Sequence, residues 1–332
     1  MNNMVNTPDG RPSTKAIILT RLRELAGEPI SGELLAEHAG VSRVAVWKAA
    51  EALKEAGYAV GSGSDGYTLD PAAGDDYLYP WEFPDREARF RHWVRTESTM
   101  DRARELADRG GSGGTIAVAE LQSAGRGRGG RSWSSEDGGL FFTILRDGGA
   151  AIQRYARSGM AVQLAVARAV AAVVGQQTLL RWPNDIYVRG RKVAGILTEL
   201  RGEADRVRWI SVGVGVNVNN APPSERATSC AELAGHRLSR RQLLSSILNE
   251  LEGPHGDARG DEALIGAWNA NVEGKGAVVS VTDAAHGADG RDQAKFRGRF
   301  LGVDEYGRAI LETERGTIEL EAGAASLTFA PE

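Results

Sequence analysis

Over the first seventy residues the hydrophobic positions recur at helical spacing in three short runs. Ser13 or Thr14 caps the first run, whose Ile17, Ile18, Leu22 and Leu25 share a stripe that stops near Gly27. Ser31 caps the second, which carries Leu34, Leu35 and Ala39 to a stop at Gly40. Ser42 caps the third, with Val46, Ala49, Ala50 and Leu53 inward and an end at Gly57. Two strand-like stretches follow, Tyr58–Val60 and Gly66–Leu69, around a Gly/Ser tip. Three short helices with a tight turn between the last two, then a hairpin, predict a winged helix-turn-helix over residues 1–76. The Pro71–Asp76 stretch closes it as a linker.

From 77 to 272 strand-like and helix-like runs alternate. Thr115–Leu121, Leu140–Leu145, Leu179–Trp182, Val193–Leu200 and Val207–Val218 suit strands; Met100–Arg109, Gly159–Val174 and Arg240–Leu251 suit helices. This predicts an α/β domain. From 273 to 332 short strands alternate with turns such as Asp304–Gly307, which predicts a small β-barrel. The most apolar stretch, Ala161–Val174, is broken by Gln163 and Arg168 and is not expected to span a bilayer.

With 332 residues, 42% hydrophobic and 25% charged, the chain has the composition of a multidomain globular protein, which excludes disordered and fibrous classes. Forty bases against 44 acids leave a net charge of −4, so no global field draws it to polyanions and nucleic-acid contact must be local. Residues 1–70 hold seven Lys/Arg against nine Asp/Glu. A single Cys230 excludes an internal disulfide and, with five scattered His, the Cys-rich zinc frameworks. A polar N-terminus without an apolar h-region adds to the expectation of a cytoplasmic protein. The 42 glycines, close to twice the usual ~7%, raise the question of where they cluster.

They cluster with arginine in Gln122-Ser-Ala-Gly-Arg-Gly-Arg-Gly-Gly-Arg-Ser-Trp133. Arg126, Arg128 and Arg131 offer forked donors to phosphate or carboxylate oxygens on a backbone that can approach a ligand closely. The Gly125-x-Gly127-x-x-Gly130 spacing matches the dinucleotide fingerprint, but a strand, Leu140–Ile144, follows where that fingerprint needs a helix. No Lys-Ser or Lys-Thr pair makes it a P-loop. In Arg181–Val188, Asn184 and Asp185 suit a turn after Pro183; Lys192 starts the next strand, where Gly195 leaves room beside it. A carboxylate and an ammonium are thus available to one reacting centre. In Val212–Asn219 the valines alternate with Gly213, Gly215, Asn217 and Asn219, so one face is bare. That face suits close packing or a flat ring with the Asn217 amide at its edge. Glu97–Asp101 caps a helix and offers hydroxyls and N–H groups to a polar head group.

In this order Glu97-Ser-Thr-Met100, Gln122-x-x-Gly-Arg-Gly-Arg-x-Gly-Arg-x-Trp133, Trp182-Pro-Asn-Asp-Ile186, Lys192-Val-Ala-Gly-Ile-Leu-x-Glu199 and Gly213-x-Gly-x-Asn-Val-Asn219 resemble biotin–protein ligase. The Ser42–Lys48 helix and the C-terminal strands resemble the two-function bacterial type, which also represses the biotin operon. Met100 stands where that family often has Asn, and Gly129 where Arg is common.

The resemblance implies a winged helix-turn-helix, a class II synthetase-like α/β ligase domain and a small SH3-like β-barrel. It implies biotin contacts from Ser98, Thr99, Met100, Gln122, Arg126, Gly127, Arg128, Lys192 and Gly195. ATP contacts would come from Arg126, Arg128, Arg131, Trp133, Asn184, Lys192 and Asn217, with Mg2+ delivered on the nucleotide. Lys192, Arg128 and Asp185 would carry the chemistry, in which biotin is adenylated and then passed to a lysine of a biotin carboxyl carrier domain. Ser42, Arg43, Trp47 and Lys48 would contact operator DNA, with a homodimer forming on ligand binding and no membrane partner. Two alternatives stay open: a lipoate–protein ligase, which lacks the loop ending in Trp133, and a ligand-sensing transcription factor without catalysis.

Overall fold

The computed structural model describes residues 11–329 except 75, 112, 148–152, 204–205, 223, 254–260, 284–294 and 324. The chain divides into two compact units, 1–92 and 93–332.

In the first unit, α1 (Thr14–Glu24), α2 (Gly32–Ala39) and α3 (Arg43–Glu55) each begin at a serine. Ser13, Ser31 and Ser42 accept the backbone N–H three residues on, which satisfies a donor the helix itself leaves free. Gly40 closes α2 at φ 63°, a left-handed position that favours glycine. Ile18, Leu19 and Leu22 of α1, Leu35 of α2 and Val46, Ala50 and Leu53 of α3 make the core. Leu34 points outward instead, because the i+3/i+4 stripe of so short a helix buries only Leu35 and Ala36. The hairpin of β1 (Val60–Gly63) and β2 (Gly66–Leu69) is tied to the α1–α2 connection by reciprocal 2.9 Å bonds between Ile30 and Tyr67.

The second unit is built on a sheet of β3 (Phe90–Thr96), β4 (Ile116–Gln122), β5 (Leu140–Asp147), β6 (Leu179–Arg181), β7 (Asp185–Val188), β8 (Arg191–Glu203) and β9 (Arg206–Val216). Its order is β3-β4-β5-β9-β8-β7-β6. The central ladders are antiparallel and pair Phe141 with Gly215 and Gly215 with Gly195, then Thr143 with Gly213 and Gly213 with Leu197. One face therefore carries Gly195, Gly213 and Gly215 in neighbouring rows, and α4 (Thr99–Asp108) packs against this part of the sheet. α5 (Gln153–Val174), apolar and long enough to cross a membrane by length alone, packs on β8 and on α7 (Arg240–Glu252). Its Val162, Val166 and Val170 are fully buried, as a core helix requires. Two helices that the sequence pattern did not predict, α6 (Cys230–Ala234) and α8 (Asp261–Asn271), complete the helical layer.

β10 (Val278–Asp283), β11 (Phe296–Val303), β12 (Ala309–Thr313), β13 (Gly316–Leu320) and β14 (Ala325–Phe329) form an antiparallel sheet of order β13-β12-β11-β10-β14. The expected barrel would need β13 to pair with β14, and among the described residues they do not, so the C-terminal module is an open five-stranded sheet.

The segment after the hairpin packs within the first unit through a buried carboxylate. Glu82, with a fully buried side chain, accepts from Arg23 at 2.6 and 2.8 Å and from the Tyr58 hydroxyl, while Trp81 Nε1 donates to Tyr58 at 3.1 Å. Burial, and then the Glu82 carboxylate, push the Tyr58 hydroxyl well above the ordinary tyrosine range. A group with a raised folded-state pKa contributes stability that is complete below its unfolded value and lost as pH rises past it. The urea midpoint of the intact chain is expected to fall between about pH 8 and about pH 11 by more in the wild type than in Tyr58→Phe. Equal losses would remove Tyr58 from the account.

Candidate functional site

A pocket opens on the glycine face of the central sheet. Twelve residues singled out in the sequence line it: Ser98, Thr99, Met100, Gln122, Arg126, Gly127, Arg128, Arg131, Trp133, Asn184, Lys192 and Gly195. Gly213 and Gly215 also line it, and Ser132, Ile196, Leu197 and Val214, to which the sequence assigned no ligand contact, complete it. Asp185 reaches it through Lys192; Asn217 does not line it.

The face that alternation left bare is covered by the chain itself. A Cβ on Gly215 would stand 2.5 Å from the Trp133 indole, one on Gly195 2.9 Å from it, and one on Gly213 2.5 Å from Met100 Sδ. The flat ring lying on the strip is therefore Trp133, which ends the glycine–arginine loop. Nor is the Asn217 amide a ring edge. It is buried, donating to Thr228 O at 3.2 Å and accepting from Asn220 at 3.1 Å. Thr228 N and Arg226 O in turn bracket the Lys192 backbone at 2.9 Å each, so Asn217 acts on the segment that holds Lys192.

A β-bulge aims Lys192. Asp185 pairs with Gly195 and Ile186 with Ala194, but Tyr187 pairs with Lys192, leaving Val193 as an extra residue. By simple alternation Lys192 and Gly195 would point to opposite faces; the bulge turns Lys192 to the side of Asp185 and Gly195. Its ammonium sits 2.6 Å from Asp185 Oδ1 and 5.2 Å from the centre of a Trp133 ring. The turn carrying Asp185 is held by Gln163, which donates to Asp185 O at 2.9 Å, and by Asn184, which donates to Ile196 O at 2.8 Å.

At the other end, Gln122 Oε1 accepts from Thr99 N at 2.7 Å and from the Thr99 hydroxyl, and Gln122 Nε2 donates to Ser135 at 2.8 Å. Thr143 donates to Thr99 at 2.9 Å, and Ser98 caps α4. This wall is a set of neutral donors and acceptors.

The loop between these ends doubles back tightly, with Gly127 N on Arg131 O at 2.7 Å and Trp133 N on Gly125 O at 2.8 Å. Gly129 and Gly130 take φ 65° and 76°, which glycine adopts without strain. Its arginines are anchored on one side only. Arg126 Nη2 lies 3.1 Å from Asp101 and 3.3 Å from Glu199. Arg128 Nη2 donates to Ala325 O at 2.8 Å and Ser326 Oγ at 2.7 Å on β14, so the C-terminal sheet reaches the site. Arg131 Nε donates to Arg128 O at 3.0 Å. The buried Arg126 Nε, Arg128 Nε and Nη1, and Trp133 Nε1 have no hydrogen-bond partner among the described residues. Burial, and then Arg131, draw the Arg128 guanidinium below its ordinary value, while Asp185 opposes this. A buried cation with free donors is what an anionic ligand relieves.

In the first unit, Arg43 and Trp47 border a groove between α3 and the hairpin tip, Lys48 is exposed beside them, and Ser42 is the α3 cap.

Because the pocket depends on absent side chains, glycine position decides the sign of an alanine substitution. Gly215→Ala is expected to cost about 1–3 kcal/mol by overpacking against Trp133. Gly266→Ala, in open space on α8, should stabilise by up to about 1 kcal/mol. Urea unfolding of the two variants checks this, and a neutral Gly215→Ala would contradict the packing.

Residues 94–217 match the sequence signature described as the Biotin/lipoate A/B protein ligase family, and residues 15–68 match an HTH domain. The chain is 32% identical over 327 residues to the bifunctional ligase/repressor BirA of Bacillus subtilis, covering 92% of this chain and 96% of that one. It is 31% identical to the biotin–[acetyl-CoA-carboxylase] ligase of Paracoccus denitrificans over 67% of this chain and 94% of that one. A biotin protein ligase from Aquifex aeolicus, solved with biotin and ATP, superposes with a TM-score of 0.55 at 27% identity, over 73% of this chain and 99% of that one. With its helix-turn-helix unit, its catalytic-type sheet and a relative matched along almost its whole length, the chain belongs to the biotin–protein ligase family of the ligase/repressor type.

Proposed function

We propose that the chain activates biotin with Mg-ATP as biotinyl-5'-AMP and transfers the biotinyl group to a lysine of a biotin carboxyl carrier domain. The observation that carries this is one pocket holding a neutral polar wall, an ammonium–carboxylate pair and buried guanidinium donors without partners.

A carboxylate oxygen of biotin attacks the α-phosphorus, a C–O–P anhydride forms, and pyrophosphate leaves. Lys192 serves both ends of the new bond, its ammonium drawing in the carboxylate and offsetting charge on the α-phosphate. Arg128 donates to the phosphate through the atoms its β14 anchor leaves free, with Arg126 and Arg131 beside it. The acceptor amine then attacks the acyl carbon and AMP leaves; that amine, with an ordinary pKa of about 10.4, must give up a proton, and Asp185 is the group placed to orient or accept it. Ser98, Thr99 and Gln122 take the ureido ring, with Met100 and Gly195 shaping the space around it. Trp133 and Asn184 border the nucleotide, and Asn217 supports Lys192 from behind. Mg2+ is delivered as the complex with the substrate ATP.

The neutral wall favours biotin over lipoate, since a dithiolane ring brings no strong donor or acceptor to Thr99 and Gln122. The first unit we assign to operator DNA, contacted by Ser42, Arg43, Trp47 and Lys48, with the adenylate favouring a homodimer that presents two recognition helices. Division at 76 and 272 into DNA-binding, ligase and C-terminal modules, and action in the cytoplasm, complete the proposal.

Lys192→Ala is expected to lower biotin-dependent exchange of pyrophosphate into ATP at least about a hundredfold, with the melting curve retained because Lys192 lies at a pocket rim rather than in a core. Near-normal exchange in that variant would overturn the assignment.

A further inference from the structure

The first unit exposes three large apolar side chains among its described residues, and two of them stand together. Val44 is 61% and Trp47 54% exposed, at positions i and i+3 of α3, while Val46, Ala49, Ala50 and Leu53 on its other side are buried. Neither side chain serves the fold. Both line the groove between α3 and the hairpin tip, beside Arg43. The groove is poor in cations: among its described lining Arg43 is the one base, against the acids Glu33 and Asp65. Residues 1–70 carry two more acids than bases. A DNA-binding face so weakly basic gains little from phosphates, and its discrimination must come from contact with base edges.

We infer that Val44 and Trp47 recognise thymine C5-methyl groups in the major groove, Val44 being a specificity residue that no sequence motif marked. This rests on the assignment of the first unit to operator DNA. The thymine methyl is the one apolar feature that the major groove presents, and apolar side chains are its partners. N-terminal residues of a recognition helix are the ones that reach base edges, and Val44 is the second residue of α3. Three residues of helix advance about 4.5 Å, between one and two base-pair steps, so the two side chains meet methyls on adjacent or next-adjacent pairs. Arg43 and Lys48 flank the apolar pair and hold it against the groove.

The test uses the full chain with biotin and Mg-ATP, and duplexes it selects from a random-sequence pool. Deoxyuridine is then substituted for thymine at each fixed position, which removes the methyl and leaves pairing intact. Wild type is expected to lose affinity about fourfold for each recognised methyl removed. Val44→Ala and Trp47→Ala should each bind thymine duplexes more weakly and lose part of the thymine–uracil difference; Lys48→Ala should weaken both duplexes in equal proportion. Equal wild-type affinity for the two duplexes, or a difference unchanged in both Val44→Ala and Trp47→Ala, overturns the inference while leaving DNA binding intact. A Trp47→Ala chain altered in sedimentation but not in the thymine–uracil difference makes the face a protein contact, which also overturns it. Failure to select any sequence removes the DNA-binding assignment itself.

Discussion

Three side chains are missing from the middle of the ligase sheet, and the site is built in the space they leave. Gly195 and Gly215 face each other across β8 and β9, with Gly213 one row away. Only because no Cβ stands there can the Trp133 indole and Met100 lie on the backbone. Once Trp133 is seated, the start and end of the glycine–arginine loop are fixed, and its arginines hang over the pocket. The loop is then tethered outward, Arg126 by Asp101 and Glu199, and Arg128 by β14. Burying guanidinium donors without partners is unfavourable and is relieved by an anion, so the packing that seats the loop also supports the proposed binding of a phosphate or carboxylate there.

The second device is the bulge at Val193. It spends one residue of a regular ladder to bring an ammonium to the side of a carboxylate, and the surrounding bonds from Gln163, Asn184 and the Arg226–Thr228 segment keep both in place. The proposed binding and chemistry thus rest on two irregularities in one sheet, a strip without side chains and a strand with an extra residue.

Much of this was legible from residue types. Serine caps and the left-handed Gly40 marked the first three helices, because capping is local and depends on one or two side chains. Alternation in β9 separated the core valines from the glycines. What covers the glycines was not legible, since Trp133 and Met100 lie about sixty residues or more from them in sequence and meet them only in the folded sheet. The bulge was hidden for a similar reason: alternation assigns Lys192 to the wrong face, and only pairing with Tyr187 reveals the slip. Asn217 looked like a binding group because polar residues on a bare strand face suggest a ligand; that its amide is buried and bonds Thr228 and Asn220 could not be read from alternation. Short C-terminal strands separated by turns were legible, but closure into a barrel depends on pairing between β13 and β14, which no local pattern encodes.

The central claim is that the pocket forms and retains a mixed anhydride of biotin and AMP. The most direct measurement incubates the chain with doubly labelled biotin and ATP, without any acceptor, separates it from free ligand, and quantifies what the protein keeps. Biotin and adenylate are expected to be retained together, one of each per chain, and to part when a carrier domain is added, biotin passing to the carrier lysine and adenylate leaving as free AMP. Retention of biotin without adenylate, or conversion of ATP to ADP, would contradict it.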